Sequence, residues 1–227
     1  MTNRKIIFII ILTASCLQSL FSQNDLKTKY DVKQYILDLN ISSTSTEING
    51  SVITNAIVIA SELDTFAVDL ITTIIPNQTY MIVDSVLVNG NRNEFSHSND
   101  IVLIPLHQTI PQNEYFSVQI YYHGNGRPCA QTNYNGIFAL TYSGVSNTET
   151  WSQPVWSKVW WPCKQDLTDK ADSVTFIITT DAGNISGSTG LLESTENFPN
   201  GKVRYTWKSK YPVAYYLISF CVGNKLF

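Results

Sequence analysis

The side chains able to do hydrolytic or metal chemistry are few in this chain, and their spacing limits what they could do. Its only histidines are His97, His107 and His123. Zinc-assisted peptide hydrolysis needs three protein ligands and an open position for water, commonly with two histidines one helical turn apart. No two of these histidines have that spacing and none is followed by glutamate, so each reads as a surface or turn residue. Asp166, Asp169 and Asp172 recur at every third position. A calcium loop of the EF-hand kind needs alternate residues instead, and Lys164 and Lys170 neutralise the segment, which therefore reads as a solvated acidic turn. No serine has a Gly-x-Ser-x-Gly setting, and no cysteine lies in a Cys-x-x-Cys or papain-like context. Trp151, Trp156, Trp160 and Trp161 cluster and could stack on sugars. The adjacent pair followed by Pro162 reads better as a packed wall than as a platform.

Positioning such residues falls to β-strands almost from end to end. Tyr30 to Ile41 alternates apolar and polar residues with one irregular step, and Ile48 to Ile59 resumes the alternation after a turn cluster at Ser42 to Thr46. Further strands are expected at Thr65 to Leu70, Met81 to Val88, Ile101 to Ile104, Tyr115 to Tyr122, Ile137 to Tyr142, Val174 to Thr180, Val203 to Trp207 and Tyr215 to Val222. Turn dipeptides punctuate them at Asn89-Gly90, Asn99-Asp100, Asn125-Gly126, Asn135-Gly136, Gly183-Asn184 and Asn200-Gly201. No stretch of a dozen residues carries a helical stripe. The expected fold is all-β, an antiparallel sandwich or saddle-like sheet assembly in one domain over residues 30–223. The segment from Gly124 to Pro154 is expected to be irregular.

Arg4 and Lys5 precede an apolar run from Ile6 to Ala14, and a cleavage point follows Ser22. Residues 1–22 thus read as a secretory signal peptide, too short to span a bilayer, with 23–29 as a linker. Thr13 and Ser15 fit a lipid-attachment signal at Cys16 poorly. The expected location is exported: periplasmic, secreted or cell-surface, with no integral membrane segment once the signal is removed. A net charge of −3, with 15% charged residues and no basic stripe, argues against nucleic acid as a partner. Cys129, Cys163 and Cys221 remain after cleavage, an odd number; a Cys163–Cys221 bridge and three buried thiols both stay open.

The run Trp160-Trp161-Pro162-Cys163-Lys164, leading into Asp169-Lys170-Ala171-Asp172-Ser173, resembles the N-terminal β-domain of the aminopeptidase N family of zinc metallopeptidases. The resemblance extends over the chain. Tyr30-Asp31-Val32 and Leu37-Asp38-Leu39 look like that domain's opening strand, and Glu47-Ile48-Asn49-Gly50-Ser51-Val52 like its return strand. Later strands are matched by Val86-Leu87-Val88-Asn89-Gly90 and Val118-Gln119-Ile120-Tyr121-Tyr122-His123-Gly124, and the closing strand by Tyr215 to Gly223. What the resemblance implies is a non-catalytic domain that packs on a catalytic metallopeptidase domain, which would begin near residues 224–227. Neither His-Glu-x-x-His nor Gly-x-Met-Glu-Asn occurs, so the chain is expected to be no enzyme on its own and to hold no cofactor, with zinc confined to that other domain. In the family a Gln-x-Glu step before a proline helps hold the free α-ammonium of a peptide substrate. Aligned on Pro154 and Trp161-Pro162-Cys163, that step places Trp151 at the Gln position and Gln153 at the Glu position. An amide in place of the carboxylate weakens such anchoring by about 1–2 kcal/mol. Lys158 stands where the family has arginine and is expected to be an exposed cation. An apolar docking patch is expected near Phe220 to Phe227. The alternative function is a free-standing β-sandwich module that binds a glycan or a protein.

Overall fold

Alternation builds the molecule strand by strand. In the computed structural model, which describes residues 25–72, 80–126 and 136–224, Tyr30, Val32, Tyr35, Leu37, Leu39 and Ile41 all face inward. The irregular step between Val32 and Tyr35 is a bulge that resets the pleat, so both rings reach the core. In chain order the strands are β1 (Tyr30–Ile41), β2 (Glu47–Val58), β3 (Glu62–Asp69), β4 (Tyr80–Val88), β5 (Asn91–Asn93) and β6 (Ser96–Ser98). Then come β7 (Ile101–Pro111), β8 (Tyr115–Asn125), β9 (Gly136–Tyr142), β10 (Val145–Trp151), β11 (Lys170–Ala171) and β12 (Ser173–Asp181). The last are β13 (Ile185–Ser188), β14 (Leu191–Phe198), β15 (Lys202–Ser209), β16 (Val213–Ala214) and β17 (Phe220–Gly223).

Eight strands form one large sheet in the order β14-β15-β12-β1-β2-β8-β4-β5. Smaller sheets have the orders β13-β17-β10-β9, β3-β7-β6 and β11-β16. Among the described residues the pairings are antiparallel except that of β1 with β12, which run parallel with Leu37 beside Phe176. Parallel neighbours cannot share a hairpin, and the crossover between these two is the whole stretch from β2 to β11. The architecture is therefore the expected all-β assembly with one parallel pairing at the centre of its main sheet.

The small sheets cover the inner face of the large one. Tyr30 of β1 meets Phe66 of β3 with ring centroids 4.8 Å apart, and Phe66 meets Phe116 of β8 at 5.8 Å. On the other side Trp160 packs on Phe220 of β17 at 5.4 Å and on Phe176 of β12 at 6.4 Å. Aromatic pairs at these separations add to the burial of their surface, which is the main force holding the layers together.

Three expectations are corrected. β7 runs on to Pro111, because a bulge between Leu63 and Thr65 lets β3 keep pairing with it. The segment read as irregular holds the strand expected at Ile137 to Tyr142, which is β9, and also the unexpected β10, which pairs with it through a turn at Ser143 and Gly144, both with positive φ; β10 escapes an alternation test because only Thr148 of its seven residues is buried. Tyr215 to Val222 is not one strand but a 3₁₀ turn at Tyr215–Leu217 followed by β17. The signal segment 1–22, Cys129 and residues 225–227 lie outside the described residues.

Candidate functional site

The tryptophan corner is a joint between sheets. Trp160 and Trp161 are fully buried, as expected of a wall. Cys163 is tied to the end of β3 by reciprocal backbone bonds with Asp69, 2.8 Å and 3.1 Å long, so Pro162 sits where no donor is needed. Tyr122 donates its hydroxyl to the carbonyl of Trp160 at 3.1 Å. Tyr35 accepts from the backbone N–H of Lys164 at 3.1 Å and stacks edge-on against Trp161.

Beneath the corner lie two buried ion pairs that the sequence did not announce. Lys164 donates to Asp169 at 2.5 Å and to the carbonyl of Tyr30 at 2.7 Å, with its ammonium 4.7 Å from the Tyr30 ring centre. Asp169 is thus not part of a solvated turn: its side chain is only 6% exposed, and its Oδ1 has no hydrogen-bond partner. Burial raises its pKa above the usual carboxylate range, and Lys164 offsets only part of that rise. The second pair joins Lys27, in the segment read as linker, to Asp69 at 2.8 Å. Asp69 also accepts from the backbone N–H of Gln165 at 3.0 Å.

From this joint a loop projects, held on both sides of Gln153. Ser152 is buried and accepts from the Trp160 indole at 2.9 Å, and its carbonyl accepts from the N–H of Trp156 at 2.9 Å. After Gln153 comes a cis peptide bond to Pro154, whose carbonyl accepts from the Tyr215 hydroxyl at 2.6 Å. Gln153 itself is exposed between these anchors. Trp151 closes β10 opposite Gly136 with 54% of its surface exposed, and Val155 and Leu217 flank the loop as exposed apolar residues. The structure thus brings Trp151 and Gln153 together at one exposed edge.

Of the stretch where an apolar patch is expected, Phe220 and Val222 point into the core and residues 225–227 lie outside the described residues; Trp151, Val155 and Leu217 are exposed hydrophobic residues. Lys158 is not a free cation, because it donates to Asp100 at 2.9 Å. Burial pushes the Asp100 carboxyl up, but bonds from Thr72 and Lys158 more than offset it and hold its pKa below the usual value. Cys163 and Cys221 are both free thiols, so no bridge joins them. Burial pushes the Cys221 thiol up to about 11, with Glu149 beside it adding to the rise.

The histidines stand apart on β6, β7 and β8. His97 makes a 3.0 Å bond with the carbonyl of Leu70, and burial lowers its pKa. His123 pairs through Nδ1 with Asp84 at 2.9 Å, a contact that sequence distance hides and strand register creates. Among the described residues no three metal-ligating side chains come together.

No family model and no curated protein sequence matches the chain. Solved structures do. An M1 zinc metallopeptidase from Deinococcus radiodurans superposes with a TM-score of 0.73 at 21% identity, covering 86% of this chain and 42% of its own. The fold is that of a domain of the M1 zinc metallopeptidases. A leukotriene A4 hydrolase from Saccharomyces cerevisiae gives a TM-score of 0.63 at 17% identity over 86% of this chain and 29% of its own. The chain therefore spans less than half the length of the enzymes whose fold it shares in part. Zinc, which that fold family implies, finds no fitting donor set among the described residues.

Proposed function

We propose that this chain is the non-catalytic β-domain of an exported M1-type aminopeptidase system. In this reading it packs against a metallopeptidase domain and holds the Trp151–Gln153 edge toward the N-terminus of a peptide substrate. The observation that carries the reading is the loop itself. On a fold shared with M1 metallopeptidases, the residues on either side of Gln153, Ser152 and Pro154, are each held by a hydrogen bond from a buried aromatic side chain, while Gln153 is left exposed beside an exposed indole. Such rigidity costs conformational freedom that a plain connection would keep. The carboxamide oxygen can accept from an α-ammonium but supplies no charge, so the anchor is weaker than a carboxylate would be. The apolar neighbours Trp151, Val155 and Leu217 suit contact with a second domain.

A chimera tests this. Residues 25–224 replace the equivalent β-domain of the Deinococcus radiodurans metallopeptidase, one structure of which holds a Tyr-Ser-Ala substrate. The chimera should fold as one unit and cleave Tyr-Ser-Ala, while this chain alone with added zinc should release nothing. Gln153→Glu in the chimera should lower KM by about fivefold to thirtyfold, the equivalent of about 1–2 kcal/mol. Domains that fail to associate, or a KM indifferent to residue 153, would overturn the reading.

A further inference from the structure

The outer face of the large sheet carries a site unrelated to the Gln153 loop. Register places Thr179, Asn40, Asn49 and His123 side by side on β12, β1, β2 and β8. Their neighbours along each strand, among them Ile178, Leu39, Ile48 and Tyr122, are buried, so this row faces outward. Neighbouring strands lie about 4.8 Å apart, which sets two carboxamides and an imidazole in a line at about the spacing of groups along a small polar ligand. The row is the floor of a trough of 390 Å³. Tyr80 closes one end with 43% of its surface exposed, and the Lys202–Asp181 pair, 2.7 Å long, closes the other.

The lining says what kind of ligand belongs there. Asp84 is a pure acceptor, so the His123 nitrogen it contacts carries the proton, and in the neutral ring Nε2 is a free acceptor. Asn40 donates one bond to the carbonyl of Asn49, while the Asn49 side chain is exposed. Each carboxamide offers a donor and an acceptor in one plane, the pattern that meets adjacent hydroxyl groups. A bare anion is disfavoured, because the lining lysine is already paired with Asp181 and the carboxylate of Glu47 stands at the rim. A metal ion lacks a ligand set among the described residues. An apolar ligand would strand the amides. We infer that this trough binds a neutral saccharide, with hydroxyls on Asn40, Asn49 and His123 and a sugar face against Tyr80. Of the four indoles that suggested sugar stacking in the sequence, Trp160 and Trp161 are buried and none lines this trough, where an exposed tyrosine and an amide row take their place.

Titration of the purified chain with cellobiose, maltose and chitobiose, followed by NMR of the side-chain amide and imidazole signals, tests the assignment. At least one disaccharide should shift the Asn40, Asn49 and His123 signals in a saturable way with a millimolar dissociation constant. Asn49→Ala and Tyr80→Ala, both at exposed positions that leave the core intact, should each weaken it about tenfold, the loss expected for one good polar contact or one stacking face. Tyr80→Phe should keep it, and so should Thr175→Ala, outside the trough. No saturable shift with any of the three sugars overturns the proposal. So does an unchanged affinity in Asn49→Ala, or saturation of the same signals by inorganic phosphate or triglycine instead.

Discussion

Lys164→Ala should be among the most damaging single substitutions in this molecule, although it alters neither the apolar core nor the exposed loop. The Lys164 side chain is 3% exposed and the Asp169 side chain 6%. Removing the ammonium leaves a buried carboxylate whose Oδ1 already lacks a partner, and frees the carbonyl of Tyr30 from its 2.7 Å bond. Breaking one side of such a pair costs about 3–5 kcal/mol, chiefly because the other charge stays buried. With a urea dependence of about 2–3 kcal/mol per molar, the unfolding midpoint should fall by roughly 1–2.5 M at pH 7. The penalty should shrink toward pH 5. Burial holds the Asp169 pKa above its unfolded value, and without Lys164 only the N–H of Val32 still offsets that burial. A group with a raised folded pKa loses stability as pH rises through that value, so acidification lets the variant neutralise the stranded charge. The double variant Lys164→Met/Asp169→Leu removes both charges and should lie within about 1–2 kcal/mol of the parent. A single variant costing under about 1 kcal/mol, or a double variant as unstable as the sum of the singles, would refute the reasoning.

Other consequences are open to the same kind of measurement. Lys158→Met should cost roughly 1 kcal/mol or less at neutral pH, since its pair with Asp100 is partly exposed. The lowered Asp100 pKa stabilises the fold above the usual carboxylate value and is lost as pH falls, so parent and variant should converge in acid denaturation near pH 2–3; a constant gap would contradict the pairing. In native protein at pH 8, iodoacetamide should leave the fully buried Cys163 untouched. Cys221, pushed up to about 11, should react roughly a hundredfold more slowly than an ordinary thiol with a pKa of about 8.5. Mass spectrometry showing Cys163 labelled first would overturn this.

Alternation alone determined that this is a β protein, and the long runs at Tyr30 to Ile41 and Val174 to Thr180 showed which side chains face inward, because a period of two is local. The Trp-Trp-Pro-Cys corner was readable for a similar reason: two indoles and a proline have few ways to be satisfied near a surface. Other features depended on contacts across the chain. Nothing in the order of residues says that β1 and β12 run side by side, since a parallel pairing spans more than a hundred residues and leaves no turn signature. The partner of the expected strand at Ile137 to Tyr142, β10, hid behind polar residues, although Ser143-Gly144 was a turn signal within reach. Tertiary structure alone decided that Lys164 and Asp169 are buried partners, that Lys158 meets Asp100, and that Asp84 orients His123. Each is a charge whose partner is set by register or by the folding of a loop, and charge in a sequence looks solvated until packing removes its water. The same holds for the row Thr179, Asn40, Asn49 and His123. Four polar residues scattered over the chain become a surface only when four strands align them.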